Sequence, residues 1–93
     1  MNEKVRAHVI VSGRVQGVFF RAETKEKAKE LGVFGWVKNL SEGRVEAVFE
    51  GERATVEEMV KWAKSGPPGA IINDLDLSWE EHQAEFNGFE IRY

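Results

Sequence analysis

Apolar residues recur with two different periods along this chain of 93 residues, and the order of those periods limits its fold more than any other feature. Strict alternation of apolar and polar residues is typical of strands, whereas apolar residues three and four positions apart are typical of helices. The alternating apolar residues are Ala7, Val9 and Val11, then Phe34 and Trp36, then Val45, Ala47 and Phe49, then Leu75, Leu77 and Trp79, and finally Phe89, Ile91 and Tyr93. The helically spaced residues are Phe20, Thr24, Ala28 and Leu31, and later Val56, Met59, Val60 and Ala63.

This order predicts an α+β fold, a ferredoxin-like α/β sandwich with the succession β-α-β-β-α-β plus a closing strand. Two helices would pack on one face of a mainly antiparallel sheet. The first strand is expected from about Arg6 to Ser12 and the second from about Val33 to Asn39.

Residues typical of helix ends set the expected limits of the two helices. Gly32 follows the first helical stripe, and glycine commonly ends a helix. Thr55 and Glu58 have the spacing of a capping box, which predicts that the second helix begins there. The run Ser-Gly-Pro-Pro-Gly at positions 65–69 is expected to end it.

Length and composition predict one domain over residues 1–93 that acts in the cytoplasm as a monomer with a charged surface. The chain has no cysteine, which excludes a disulfide scaffold, a thiolate metal site and a cysteine nucleophile. No segment approaches the roughly 20 apolar residues that cross a bilayer, so no membrane role is expected. The net charge of -3 argues against nucleic acid as a partner, because such binding neutralises many phosphates at once.

A basic loop joins the first strand to the first helix. The segment Gly13–Arg21 reads Gly-Arg-Val-Gln-Gly-Val-Phe-Phe-Arg, and residues 5–22 contain Arg6, Arg14 and Arg21 but no Asp or Glu. The glycines let backbone N–H groups turn toward an anion at the helix start, and Arg21 adds a positive charge beside them. Such a loop suits one small phosphorylated ligand.

Spacing alone leaves the function of this loop open. It is neither a Walker A motif nor a dinucleotide-binding motif, and an ordinary glycine turn with an exposed arginine is the commoner meaning of such spacing. Ferredoxin-like folds also include regulatory, metal-handling and RNA-binding domains. An RNA-binding domain would have a basic, aromatic third strand, whereas this strand carries Glu46 and Glu50. A metal-handling domain would need cysteines.

Two longer motifs resemble those of the acylphosphatases. They are the segment Gly13–Arg21 and the segment Gly35–Asn39, which reads Gly-Trp-Val-Lys-Asn. The similarity covers nearly the whole chain and also includes Thr24, Leu31-Gly32, Gly43, Val45, Gly66-Pro67, Ala70 and Phe89–Tyr93.

The resemblance implies an enzyme that hydrolyses the carboxyl–phosphate bond of a small acyl phosphate, with no metal and no organic cofactor. Arg21 and Asn39 would be the catalytic residues, since Arg21 and the loop would hold the phosphate and Asn39 would position the attacking water. The phosphate-binding residues implied are Val15, Gln16, Gly17, Val18, Phe19, Phe20 and Arg21. Inorganic phosphate, the product, would compete with the substrate. The alternative is a non-catalytic module that binds phosphate or carbamoyl phosphate, because acylphosphatase-like domains also resemble parts of larger maturation proteins.

The residue types of the motifs suit this chemistry independently. The motif region has no thiol and no carboxylate, and its nearest histidine, His8, lies within a strand. Neither a phosphoenzyme nor a protein general base therefore has an obvious carrier. An acyl phosphate expels a carboxylate whose conjugate acid has a pKa of about 4 to 5, so that no general acid is needed.

The remaining chemically distinctive residues are better explained by structure. Trp36, Trp62 and Trp79 have strand or helix spacing, as the phenylalanines do, and are expected to pack in or near the core. His8 and His82 lack the partners of a metal site.

The sequence leaves open the role of two cationic residues and the identity of the substrate's acyl group. Arg14 and Lys38 would either add positive field near the phosphate or simply be exposed. No pocket for the acyl group is readable, and so the sequence does not name the physiological acyl phosphate.

Overall fold

The computed structural model describes residues 3–93, and it has the predicted α+β ferredoxin-like architecture. The elements are β1 (Lys4–Arg14), α1 (Phe20–Leu31), β2 (Phe34–Asn39), a 3-10 turn (Ser41–Gly43), β3 (Val45–Glu52), α2 (Arg53–Ser65), β4 (Ile71–Glu80) and β5 (Phe89–Arg92). The sheet order is β4-β1-β3-β2-β5, in which β2 and β5 are parallel and the other neighbours antiparallel. No helix within residues 3–93 is long and apolar enough to cross a membrane.

Strand β1 lies between β4 and β3 in the sheet and extends two residues beyond the predicted range at each end. It pairs with β3 from Lys4 opposite Glu52, and with β4 as far as Arg14 opposite Ile71. The apolar alternation continues to Val5, which is buried, and the strand ends in the exposed charged residues Lys4 and Arg14, so it extends beyond the range that the pattern predicts. The extension includes Gly13 and Arg14 of the basic segment in β1, so the loop before α1 consists of residues 15–19.

The core lies between the sheet and the two helices, and both predicted helical stripes face it. The buried residues of the helices are Phe20, Thr24 and Ala28 of α1 and Val56, Met59, Val60 and Ala63 of α2. The alternating strand residues Val45, Ala47 and Phe49 are buried against them. The rings of Phe20 and Trp62 have centroids 5.8 Å apart and link the two helices. Removal of this apolar surface from water is the main stabilising contribution to the fold.

The expectation that the large aromatic residues pack in or near the core is wrong at three positions. Trp79 is 42% exposed because it lies near the end of the edge strand β4. The guanidinium carbon of Arg53 lies 5.1 Å from a centroid of its ring system and shields part of it. Phe34 is 44% exposed because it lies on the sheet face opposite the helices, in register with Glu50. Phe19 is 79% exposed at the start of α1.

The predicted capping box at the start of the second helix is also wrong. Helix α2 begins at Arg53, with no side-chain cap, because β3 runs directly into it. The N–H group of Arg53 donates to the carbonyl of Glu3 at 2.8 Å, so the residue before β1 supplies an acceptor at the helix start. Thr55 lies within the helix, and its hydroxyl donates to the carbonyl of Glu52 at 2.9 Å.

Gly32 ends α1 in the left-handed conformation that the sequence predicts, with φ 73° and its N–H directed to the carbonyls of Ala28 and Lys29. A Cβ atom at this position would have no atom within 4 Å, so the cost of Gly32→Ala comes from the backbone conformation alone. We expect Gly32→Ala to lower the free energy of unfolding by about 1 kcal/mol, measured by urea denaturation. Gly88 is equally uncrowded and lacks a positive φ, so Gly88→Ala should change stability by less than about 0.5 kcal/mol. Equal losses in the two variants would contradict this explanation.

The sheet face opposite the helices carries a buried carboxylate. Glu50 is 1% exposed and accepts a hydrogen bond from the N–H of Gln83 at 2.7 Å, which fixes the segment 81–88 over this face. Arg6 contacts Glu50 at 3.4 Å, Glu80 at 3.1 Å and Glu85 at 2.6 Å. Burial alone would lower the pKa of Arg6, but hydrogen bonding and charge from Glu85 and Glu50 raise it above its ordinary value. Arg6 therefore keeps its positive charge, and carboxylates of the protein itself compensate that charge.

Candidate active site

The loop between β1 and α1 curls because two of its residues have positive φ angles. Gly17 has φ 76° and is exposed, whereas Phe19 has φ 61°, an uncommon conformation for a residue with a side chain. Val15 is fully buried before the first of these turns, and Val18 packs against the core between them, so the loop is fixed to the core at two points. Strained backbone held by surrounding packing is typical of functional loops.

Helix α1 begins at this loop without a side-chain cap. Phe19 occupies the N-cap position, and its carbonyl accepts a hydrogen bond from the N–H of Glu23 at 2.9 Å. The N–H groups of the first turn have no partner within the helix, so they point toward whatever lies before it. Together with the helix dipole, they favour an anion there.

Arg21 and Asn39, the two residues predicted to be catalytic, line one pocket at this helix start. The pocket has a volume of about 340 Å³ and is lined by Val15, Gln16, Gly17, Phe19, Phe20, Arg21, Ala22, Asn39, Ile91 and Tyr93. Val18 is the one residue of the predicted phosphate-binding set that does not line it. The structure therefore brings together two residues that lie on different elements.

Asn39 reaches the pocket because it ends β2 on the face that carries the helices. Gly35 and Val37 of the same strand are buried on that face, and alternation places the exposed Asn39 with them. The parallel strand β5 then brings Ile91 alongside, with Val37 and Ile91 in register. Sequence reasoning treats Ile91 and Tyr93 only as strand residues, since their place in the pocket depends on this parallel pairing.

Arg21 carries a guanidinium that no carboxylate neutralises among residues 3–93. Arg6, Arg53 and Arg92 all have acidic partners. Arg14, Arg21 and Arg44 have none in the described part of the chain, and of these three only Arg21 lines the pocket. Its guanidinium carbon lies 5.1 Å from the centroid of the Tyr93 ring, a cation–π contact that leaves its donors free for a ligand. Arg21 therefore brings a positive charge to the pocket that no carboxylate of the described residues compensates.

Gln16 forms a contact that sequence reasoning does not predict. Its side-chain amide donates to the carbonyls of both Leu40 and Arg44, each at 2.9 Å. These partners lie 24 and 28 positions away, and the motif signals only that Gln16 belongs to the loop. The loop and the β2–β3 hairpin are tied together by this side chain.

The other candidate residues lie elsewhere. Arg14 is exposed and does not line the pocket, and Lys38 lies 3.8 Å from Glu46. His8 contacts Glu46 at 2.6 Å and His82 lies 3.8 Å from Glu50. Within residues 3–93 no group of three or more His, Cys, Asp or Glu side chains is arranged to hold a metal ion.

Comparison with known sequence families decides the affiliation, because the acylphosphatase family profile matches residues 7–91. The chain belongs to the acylphosphatase family. It is 55% identical to the acylphosphatase of Roseiflexus sp. (strain RS-1), over 98% of both proteins. It is 49% identical to that of Pelotomaculum thermopropionicum, over 97% of this chain and 98% of that protein.

Solved structures agree with this affiliation. The structure of an acylphosphatase from Coxiella burnetii has a TM-score of 0.91 and 42% identity, and the match covers 98% of this chain and 94% of that one. The protein is accordingly an enzyme with acylphosphatase activity, and a small acyl phosphate is its class of substrate. Nothing in these comparisons favours the non-catalytic alternative.

Proposed function

We propose that the backbone N–H groups from Val15 to Phe20, with the guanidinium of Arg21, hold the phosphate group of the acyl phosphate. The amide of Asn39 orients the attacking water. The observation that carries this proposal is the position of an unneutralised Arg21 and of Asn39 in one pocket at an uncapped helix start. Donors arranged before the reaction stabilise charge that develops on the phosphoryl oxygens without reorganising.

In the proposed step, the water oxygen attacks phosphorus while the bond from phosphorus to the acyl oxygen breaks. The electron pair leaves with the carboxylate, which needs no protonation because its conjugate acid has a pKa of about 4 to 5. The pocket lining includes no Asp, Glu, His or Cys, so the phosphate oxygens of the substrate accept the water proton. Rate enhancement comes from positioning and electrostatic stabilisation, with neither phosphoenzyme, metal nor organic cofactor.

The same site binds inorganic phosphate as product and competitive inhibitor, because phosphate presents the same oxygens to Arg21 and the loop.

The enzyme acts as a monomer in the cytoplasm. The charged composition and the net charge of -3 support the monomeric state, since like net charge opposes association of identical chains.

We expect the purified protein to hydrolyse acetyl phosphate and benzoyl phosphate in EDTA as fast as in its absence. Alkyl phosphate monoesters should stay almost unhydrolysed, because an alkoxide leaves poorly without the general acid that this pocket lacks. The measurement is phosphate release for both substrate classes, with inorganic phosphate added to test for competition. Strict dependence on a divalent cation, or equal monoesterase activity, would falsify the proposed mechanism while leaving the family assignment in place.

A further inference from the structure

We propose that the side chain of Gln16 is a positioning residue, which sets the place of Asn39 relative to the phosphate-binding loop. The inference rests on the proposed role of Asn39 as the residue that orients water. In this proposal the backbone N–H of Gln16 helps to hold the phosphate, whereas its side chain positions the hairpin.

The contact uses both N–H donors of the Gln16 amide. One goes to the carbonyl of Leu40, the residue after Asn39, and the other to the carbonyl of Arg44, each at 2.9 Å. Leu40 and Arg44 are themselves joined, since the N–H of Leu40 donates to the carbonyl of Arg44 at 2.7 Å. Gln16 therefore binds the residues on both sides of the hairpin turn.

The turn of the hairpin, residues 40–44, has no other side-chain hydrogen bond or ion pair within residues 3–93. Of the side-chain hydrogen bonds there, only the two from Gln16 reach residues 40–44, and no ion pair reaches them. Residues 41–43 at the hairpin tip are exposed, and Glu42 has φ 63°. Asn39 stands at the strand end beside this tip, so the Gln16 bonds restrict its approach to the loop.

Loss of this tie should affect turnover more than phosphate binding. The proposed phosphate contacts come from Arg21 and from the loop backbone, which Val15 and Val18 fix to the core independently of the hairpin. The water, in contrast, depends on where Asn39 lies. A displacement of about 1 Å in a positioned group can lower a rate by roughly 100-fold.

The test uses Gln16→Met, which keeps an unbranched side chain and removes both donors. We expect kcat for benzoyl phosphate to fall about 10- to 100-fold, with the inhibition constant for inorganic phosphate changed less than about 3-fold, a difference of under 1 kcal/mol. Thr55→Val is the matched control, because it removes a half-buried side-chain hydrogen bond of 2.9 Å in α2, which does not line the pocket. Its kcat should equal that of the parent at a comparable loss of stability.

A double-variant cycle separates positioning from a general structural role. In an Asn39→Ala background, Gln16→Met should cause no further loss of kcat, since Gln16 acts through Asn39. Additive losses, or an inhibition constant for phosphate that rises as far as kcat falls, would overturn the inference. Should Gln16→Met fail to fold, Gln16→Asn keeps the amide on a stem too short to reach both carbonyls, and the same outcomes apply. If Asn39→Ala alone retains full turnover, the proposed site fails rather than the inference about Gln16.

Discussion

Replacing Arg21 with lysine is expected to lower kcat/KM for an acyl phosphate by about 100- to 1,000-fold, although the positive charge is kept. Arginine offers a planar fork of donors that matches phosphate oxygens in pairs, whereas lysine is a point donor on a flexible stem. The contact with the Tyr93 ring, 5.1 Å from the guanidinium carbon, further fixes the plane of the arginine. Steady-state kinetics with benzoyl phosphate measure the effect.

Arg14→Lys is the matched control for this prediction. Arg14 belongs to the same acid-free segment but is exposed and outside the pocket, so its replacement should leave kcat/KM within about 2-fold of the parent. Circular dichroism should show that both variants fold, since neither position belongs to the apolar core. An Arg21→Lys enzyme with most of its turnover would show that Arg21 does not clamp the phosphate.

Asn39→Ala is expected to lower kcat by about 100-fold or more while inorganic phosphate still inhibits nearly as in the parent. The two proposed roles differ in what each residue touches, since Asn39 holds water and Arg21 holds phosphate. Arg21→Ala should therefore lose both turnover and phosphate inhibition. Inhibition constants and kcat, measured on the same preparations, distinguish the two variants.

Asn73→Ala provides the control, because it removes an exposed amide on β4 that does not line the pocket. Its kinetics should match those of the parent. Should phosphate affinity fall as far in Asn39→Ala as in Arg21→Ala, with both proteins folded, the water-positioning role of Asn39 would have to be abandoned.

The fold was predictable from the sequence wherever one face of an element meets the core. The buried residues of α2 are the four predicted from their spacing, and Gly32 ends α1 as expected. Prediction was wrong where tertiary contacts replace a local signal. Thr55 does not cap α2, because the helix begins two residues earlier, where Glu3, the residue before β1, supplies the acceptor for Arg53.

The candidate site was predictable only in part. The motifs identify some of its residues, but the order and pairing of the strands determine which residues lie together. Arg21 and Asn39 belong to recognisable segments, and both line the pocket. The contribution of Ile91 follows from the parallel pairing of β5 with β2, which no local pattern encodes. The Gln16 contacts likewise join residues far apart in sequence, as does the hydrogen bond from Gln83 to Glu50.

The backbone and the side chain of Phe19 have different roles at the pocket. Its left-handed φ of 61° shapes the loop, while its ring is 79% exposed at the pocket. If the main chain recognises the phosphate, as we propose, the ring is free to be exchanged for others without loss of that recognition. Substitutions at this position would then alter the surface of the pocket while leaving the phosphate-binding main chain in place.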